Sequence, residues 1–140
     1  MTLFAVPATL DLIMAIKPQP MQAHDILDPD VIAYVLPHAD AEVVMVGQQP
    51  IACRLGVTPW SGRQQLNMLL SKEAGPHLLW IVRRFRQWLD QHGARRVEAT
   101  TRSGWDQGAR FLRMLGFEYA CTMPFYAPDG SDHDLYERIR

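Results

Sequence analysis

LNMLLSKEAGPHLLWIVRRFRQWLDQHGARRVEATTRSGWDQGARFLRMLGF, from Leu66 to Phe117, reads as strand, tight turn, long helix, strand and short helix. Leu78, Ile81, Val82, Phe85, Trp88 and Leu89 recur at the spacing of one buried helical stripe, with Arg83, Arg84, Arg86, Gln87 and Asp90 on the opposite side. Gly75 and Pro76 mark the start of that helix and Gly93 its end. From Arg96 to Thr101, Val97, Ala99 and Thr101 alternate with Glu98 and Thr100, as a strand with one apolar face requires. Ser103 followed by Asp106 resembles a capping box, and Gly116 closes a helix through Leu112 and Leu115. A strand joined through a helix to a second strand of one sheet favours parallel pairing by a right-handed crossover.

Outward from this unit the chain supplies a short strand at Leu3 to Val6, a helix at Thr9 to Ile16, a second at Met21 to Leu27 beyond the breaker Lys17-Pro18-Gln19-Pro20, and a helical turn from Asp28. EVVMV, the turn Gly47-Gln48-Gln49-Pro50 and IACRLGV form an antiparallel hairpin, and Trp60-Ser61-Gly62 leads into the central unit. After Phe117, a strand at Glu118 to Phe125, a turn at Ala127-Pro128-Asp129-Gly130 and a strand at Asp134 to Ile139 close the chain. The expectation is an α/β (α+β) mixed sheet of six to seven strands, with short N-terminal helices and two helices packed on the sheet, in one domain over residues 1–140.

A chain of 140 residues with 48% hydrophobic content can bury one core without disulfides or metal. Cys53 and Cys121 read as buried free thiols. His24, His38, His77, His92 and His133 lack metal-ligand spacing, so no metal is expected. Net charge is −1, yet arginines crowd residues 83–113 while acids dominate residues 1–42. Phe85 and Trp88 belong to the buried stripe, and no aromatic residues interleave with the exposed arginines, which argues against nucleic acid as a partner. The N-terminal apolar run is interrupted by Pro7, Thr9 and Asp11, so neither a signal peptide nor a membrane span is expected, and a cytoplasmic location fits. P-loop, Rossmann and Gly-x-Ser-x-Gly signatures do not occur.

HGARRVEATTRSGWDQGARFLRMLGFEYACTMPFYAPDG (92–130), with the Leu115-Gly116-Phe117 ending of its helix, resembles the GCN5-related N-acetyltransferase (GNAT) family in order of elements and in the LGF signature. LLSKEAGPH before the long helix and DGSDHDLYERI at the end are similar to a phage and prophage subset. The resemblance implies acetyl-CoA as co-substrate, a small-molecule or protein amine as acceptor, and transfer by direct attack in a ternary complex. It leaves a homodimer or a virion assembly partner open, with the host cytoplasm or the virion as location for a phage-encoded chain. A catalytically degenerate scaffold serving as a binding or virion component is the alternative.

The family's pyrophosphate turn, Arg/Gln-x-x-Gly-x-Gly/Ala, falls on Ala74 to Leu79, where His77 and Leu79 stand at small-residue positions and Pro76 lacks an N–H. By resemblance, Leu69, Leu70 and Ser71 offer backbone groups to pantetheine, and Ala74, Gly75, His77 and Leu78 hold the pyrophosphate. The tyrosine that protonates the leaving thiolate in many members corresponds to Leu112, which passes the role to Tyr119, Tyr126 or Tyr136. A base for the amine is also required. Glu98 is best placed by alternation, ahead of His133 and Asp134.

Overall fold

The computed structural model describes residues 2–23 and 28–140. Seven strands form one sheet in the order β1-β2-β3-β4-β5-β7-β6: β1 (Leu3–Pro7), β2 (Asp40–Val46), β3 (Gln49–Trp60), β4 (Arg63–Leu70), β5 (Arg96–Arg102), β6 (Glu118–Met123) and β7 (His133–Ile139). Among the described residues, four α-helices join them: α1 (Leu10–Met14), α2 (Pro29–Val35), α3 (Leu78–His92) and α4 (Asp106–Met114). All neighbouring strands are antiparallel except β4 and β5. The helix expected over Met21 to Leu27 is a single 3₁₀ turn at Pro20–Gln22, and its remainder lies outside the described residues.

Each face of the sheet buries its own core. Val44, Ile51, Leu66 and Leu70 meet Ile81, Phe85 and Leu89 of α3 and Phe111 and Leu115 of α4. On the opposite face Val43, Met45, Cys53 and Leu55 meet Ile13, Ile16 and Ile32. α3 buries Ile81, Val82, Phe85 and Leu89, as its spacing predicts, while Trp88 and Leu78 are half-buried. Gly93 ends it at φ 80°, a left-handed conformation open to glycine at low cost. Arg84 does not simply face solvent, because its guanidinium forks onto the buried carboxylate of Glu42 at 3.0 and 2.9 Å.

α4 starts differently from the capping-box expectation. Trp105 is its N-cap without a side-chain bond, and Ser103 donates its hydroxyl to Asp134 instead, at 2.6 Å. The C-terminal end keeps its sequence signature: Gly116 N–H donates to Arg113 O at 3.0 Å and Phe117 N–H to Leu112 O at 3.1 Å, around a left-handed glycine. Cys53 is buried, but Cys121 is exposed on the edge strand β6, contrary to expectation.

Gly108 lets α4 approach β5. A Cβ there would lie 2.2 Å from Thr101 Oγ1 and 2.5 Å from the Trp105 ring. The helix-propensity gain of about 1 kcal/mol for alanine is outweighed by overpacking of about 1–3 kcal/mol. Gly108→Ala is therefore expected to lower the urea midpoint of unfolding, and an unchanged or raised midpoint would count against this close approach.

Candidate active site

The decisive local feature is where β4 and β5 stop pairing. Their parallel register covers only Arg63↔Arg96, Gln64↔Val97 and Gln65↔Glu98, although β4 continues to Leu70 and β5 to Arg102. Beyond Gln65 and Glu98 the strands diverge, and a cavity of about 500 Å³ passes through the sheet there. Leu66 to Leu70 form one wall and Thr100 and Thr101 the other. On one side of the sheet the cavity reaches Ile13, Ile32 and Leu55. On the other it reaches Gly75, Leu78, Gly108 and Phe111.

Strand alternation decides which backbone groups face this opening. Met68 and Leu70 turn theirs toward it, and three polar groups of the segment before α2 meet them there. Gln22 Nε2 donates to Met68 O at 3.2 Å, Leu70 N–H donates to Gln22 Oε1 at 3.1 Å, and Gln19 N–H donates to Leu70 O at 3.3 Å. Leu69 points its backbone toward β3, where it is opposite Cys53. Ser71 N–H is spent on Ile51 O at 2.8 Å, and its hydroxyl bonds Glu73. Of the three residues expected to present backbone groups, the structure places only Leu70 in that position, and Met68 joins it.

The expected tight turn is a 3₁₀ helix over Lys72–His77 that runs into α3 with Pro76 inside it. Ala74 N–H donates to Ser71 O at 3.0 Å and Leu78 N–H to Gly75 O, so two of the amides wanted for a phosphate cradle are already bonded. Ala74, Gly75 and Leu78 line the cavity; His77 does not. The cationic side chain that lines it is Arg110, exposed on α4. Arg110 is hidden in the sequence among many arginines, and only its place on the cavity wall sets it apart.

The proposed acid and base separate sharply. Tyr126 lines the cavity, and its ring centroid is 5.5 Å from that of His133, a buried residue that also lines it. The loop between β6 and β7 holds Tyr126 in place. Gly130 N–H donates to Ala127 O at 2.8 Å, Arg102 binds Asp129 at 2.6 Å, and Asp132 accepts the N–H of Phe125 at 3.0 Å. Phe125 has φ 52°, a left-handed conformation that costs a non-glycine residue roughly 1 kcal/mol. Leu112, which stands where the family's tyrosine is expected, is a buried wall of the cavity. Tyr119 lies elsewhere: its hydroxyl is 2.8 Å from Thr122 Oγ1 and its ring packs edge-on against Tyr136 on the outer strands. Asp134 accepts the hydroxyls of Ser103 and Thr122 at 2.6 and 2.8 Å.

Glu98 occupies the right face at the wrong height. It sits where β4 and β5 are still paired, below the opening, and is not among the lining residues. Arg63 grips both its oxygens at 2.8 and 2.9 Å, and Arg96 adds a third bond at 2.8 Å. The Arg63 bonds, reinforced by Arg96, lower its pKa from 4.5 to about 2. A carboxylate so stabilised is a poor proton acceptor at neutral pH, so the structure gives Glu98 a bracing role in place of the expected catalytic one. Because its folded pKa is depressed, its contribution is fully present above pH 4.5 and is lost as pH falls toward 2. Glu98→Gln is expected to cost about 1–3 kcal/mol of stability at pH 7 and to flatten that acid limb in urea melts. Turnover per folded molecule should be retained, whereas a loss exceeding tenfold would restore Glu98 as a base.

Cys53 lines the cavity, but burial pushes its thiol up to about 12. It is held as a thiol, not a thiolate nucleophile. Among the described residues no group of three or more His, Cys, Asp or Glu side chains is arranged to hold a metal, and no helix is long and apolar enough to cross a membrane.

No protein-family model matches the chain, and no curated protein matches it in sequence. Solved structures match it over nearly their whole length. Ard1 from Thermoplasma volcanium aligns with TM-score 0.83 at 13% identity, over 99% of this chain and 98% of that one. The ribosomal-protein-S18-alanine N-acetyltransferase from Escherichia coli gives 0.78 at 14%, over 99% and 94%. A Bacillus subtilis acetyltransferase in complex with CoA gives 0.72 at 10%, over 99% and 97%. With its seven-stranded mixed sheet parted between β4 and β5, the chain has the GNAT acyl-CoA N-acyltransferase fold.

Proposed function

We propose that this protein is an acyl-CoA-dependent N-acyltransferase, with acetyl-CoA as donor and an amine as acceptor. The observation that carries the reading is the opening between β4 and β5, which joins an edge of backbone amide groups at Met68 and Leu70 to the Tyr126–His133 pair. An amide fits that edge, because the carboxamide of Gln22 already makes both an acceptor and a donor bond there. A pantetheine arm carries amides of the same kind, and a structural neighbour is in complex with CoA. For the anionic end of the donor, Arg110 and the amino-terminal dipole of α3 take the place of the bonded amides at Ala74 and Leu78.

In the reaction the amine nitrogen forms a bond to the thioester carbonyl carbon, the carbon–sulfur bond breaks, and the thiolate takes a proton. His133 is the base that accepts the amine proton and Tyr126 the acid that supplies one to sulfur, the rest being positioning by the β4 edge. Incubation with acetyl-CoA and a panel of primary amines, followed by detection of free thiol, tests this. Amine-dependent thiol release is the expected result; an absence of release with every amine of the panel, together with no binding of acetyl-CoA, overturns the proposal.

A second reading is favoured by the 3₁₀ turn at Lys72–His77, whose bonded amides reduce the capacity for pyrophosphate. In it the scaffold is kept without the chemistry, and the chain serves as a binding or virion-associated component.

A further inference from the structure

The polar groups that meet the splayed edge of β4 come from the chain itself. Pro18 bridges to Ser71 in antiparallel fashion, Gln19 N–H reaches Leu70 O, and the Gln22 carboxamide spans Leu70 N–H and Met68 O. Residues 18–22 thus continue the sheet from the side of β4 that β5 has left, with Gln22 behaving as a detached strand amide. The two side-chain bonds are part-buried, and Gln19 and Gln22 both line the cavity. Backbone groups at an open strand edge need partners, and a glutamine side chain carries one acceptor and one donor at the separation a peptide-like amide requires.

We propose that Gln22 is a displaceable latch: its carboxamide stands in for a ligand amide on Met68 and Leu70 and must leave before an amide-bearing donor arm can bind there. This deepens the acyltransferase reading and rests on it. Two modest hydrogen bonds have to be exchanged on binding, so the closed latch lowers apparent affinity by the fraction of molecules in which the edge is open.

The test compares wild type with Gln22→Ala and Gln22→Asn, the latter keeping the amide on a shorter stem. Amide hydrogen exchange at Leu70 in the free protein is measured first. Both variants are expected to exchange about tenfold faster there, while exchange in the α3 core is unchanged. Acetyl-CoA binding is then measured by calorimetry, and Gln22→Ala is expected to bind about tenfold more tightly than wild type. Unchanged exchange at Leu70 overturns the latch whatever the ligand does. Faster exchange with equal or weaker binding than a wild type that binds also overturns it, and leaves the acyltransferase reading intact. Faster exchange with no acetyl-CoA binding by any form overturns both, because a freed edge would then accept no amide arm.

Discussion

Tyr126→Phe is expected to lower turnover by a factor of about 10²–10⁴ while leaving acetyl-CoA affinity and the melting temperature near wild type. The expectation follows from place and exposure together. Tyr126 is 54% exposed, so removing one hydroxyl unbalances no core, yet its side chain lines the cavity beside His133. A proton donor acts only in the transition state, so its loss falls on kcat and kcat/KM alike. Steady-state kinetics with an accepted amine, alongside calorimetric titration of acetyl-CoA, separates this from a binding defect. A Tyr126→Phe enzyme with full turnover would remove the acid from this residue.

Phe85→Ala carries the largest expected effect on stability, about 3–5 kcal/mol. Phe85 is fully buried, in the middle of the α3 stripe, and meets Phe111 of α4 edge-on with centroids 6.5 Å apart. It therefore ties both helices of one face to the sheet. Truncation leaves a void lined by side chains already held in place, and the walls can collapse only in part. Against the 5–15 kcal/mol typical of a whole domain, the loss is expected to lower the melting temperature by roughly 10 °C or more, as followed by circular dichroism. A change below about 1 kcal/mol would mean that α3 and α4 are not packed as described.

Most of the architecture is legible in Leu66–Phe117, because helix and strand periods there are long and uninterrupted and both helix ends carry glycine. The outer hairpins are equally readable from alternation. The divergence of β4 and β5 is not. Both strands keep their alternation beyond the last paired residues, Gln65 and Glu98, and the period of a strand says nothing about whether its neighbour is still there. Glu98 shows the consequence: alternation gives its face correctly, but its height along β5 places it between Arg63 and Arg96 instead of in the cavity. The same alternation, counted with the partner strand in hand, would have kept Leu70 and pointed to Met68 in place of Leu69 and Ser71. Gln22 carries no signal in its own neighbourhood, since its partners are 46 and 48 residues away in sequence. Tyr126 is among the sequence candidates, and its place in the cavity beside His133, in a loop held by the Arg102–Asp129 and Phe125–Asp132 bonds, singles it out from Tyr119.

The central claim is that the parted strands receive an acyl-CoA arm along the β4 edge. The most direct measurement is titration of isotope-labelled protein with acetyl-CoA, followed by backbone amide resonances. The account predicts saturable shifts at Met68, Leu70, Gly75 and Thr101 around the opening, with the paired strands β1 and β2 undisturbed. No shift at Met68 and Leu70 up to millimolar acetyl-CoA, or shifts confined to residues outside the cavity, would contradict it.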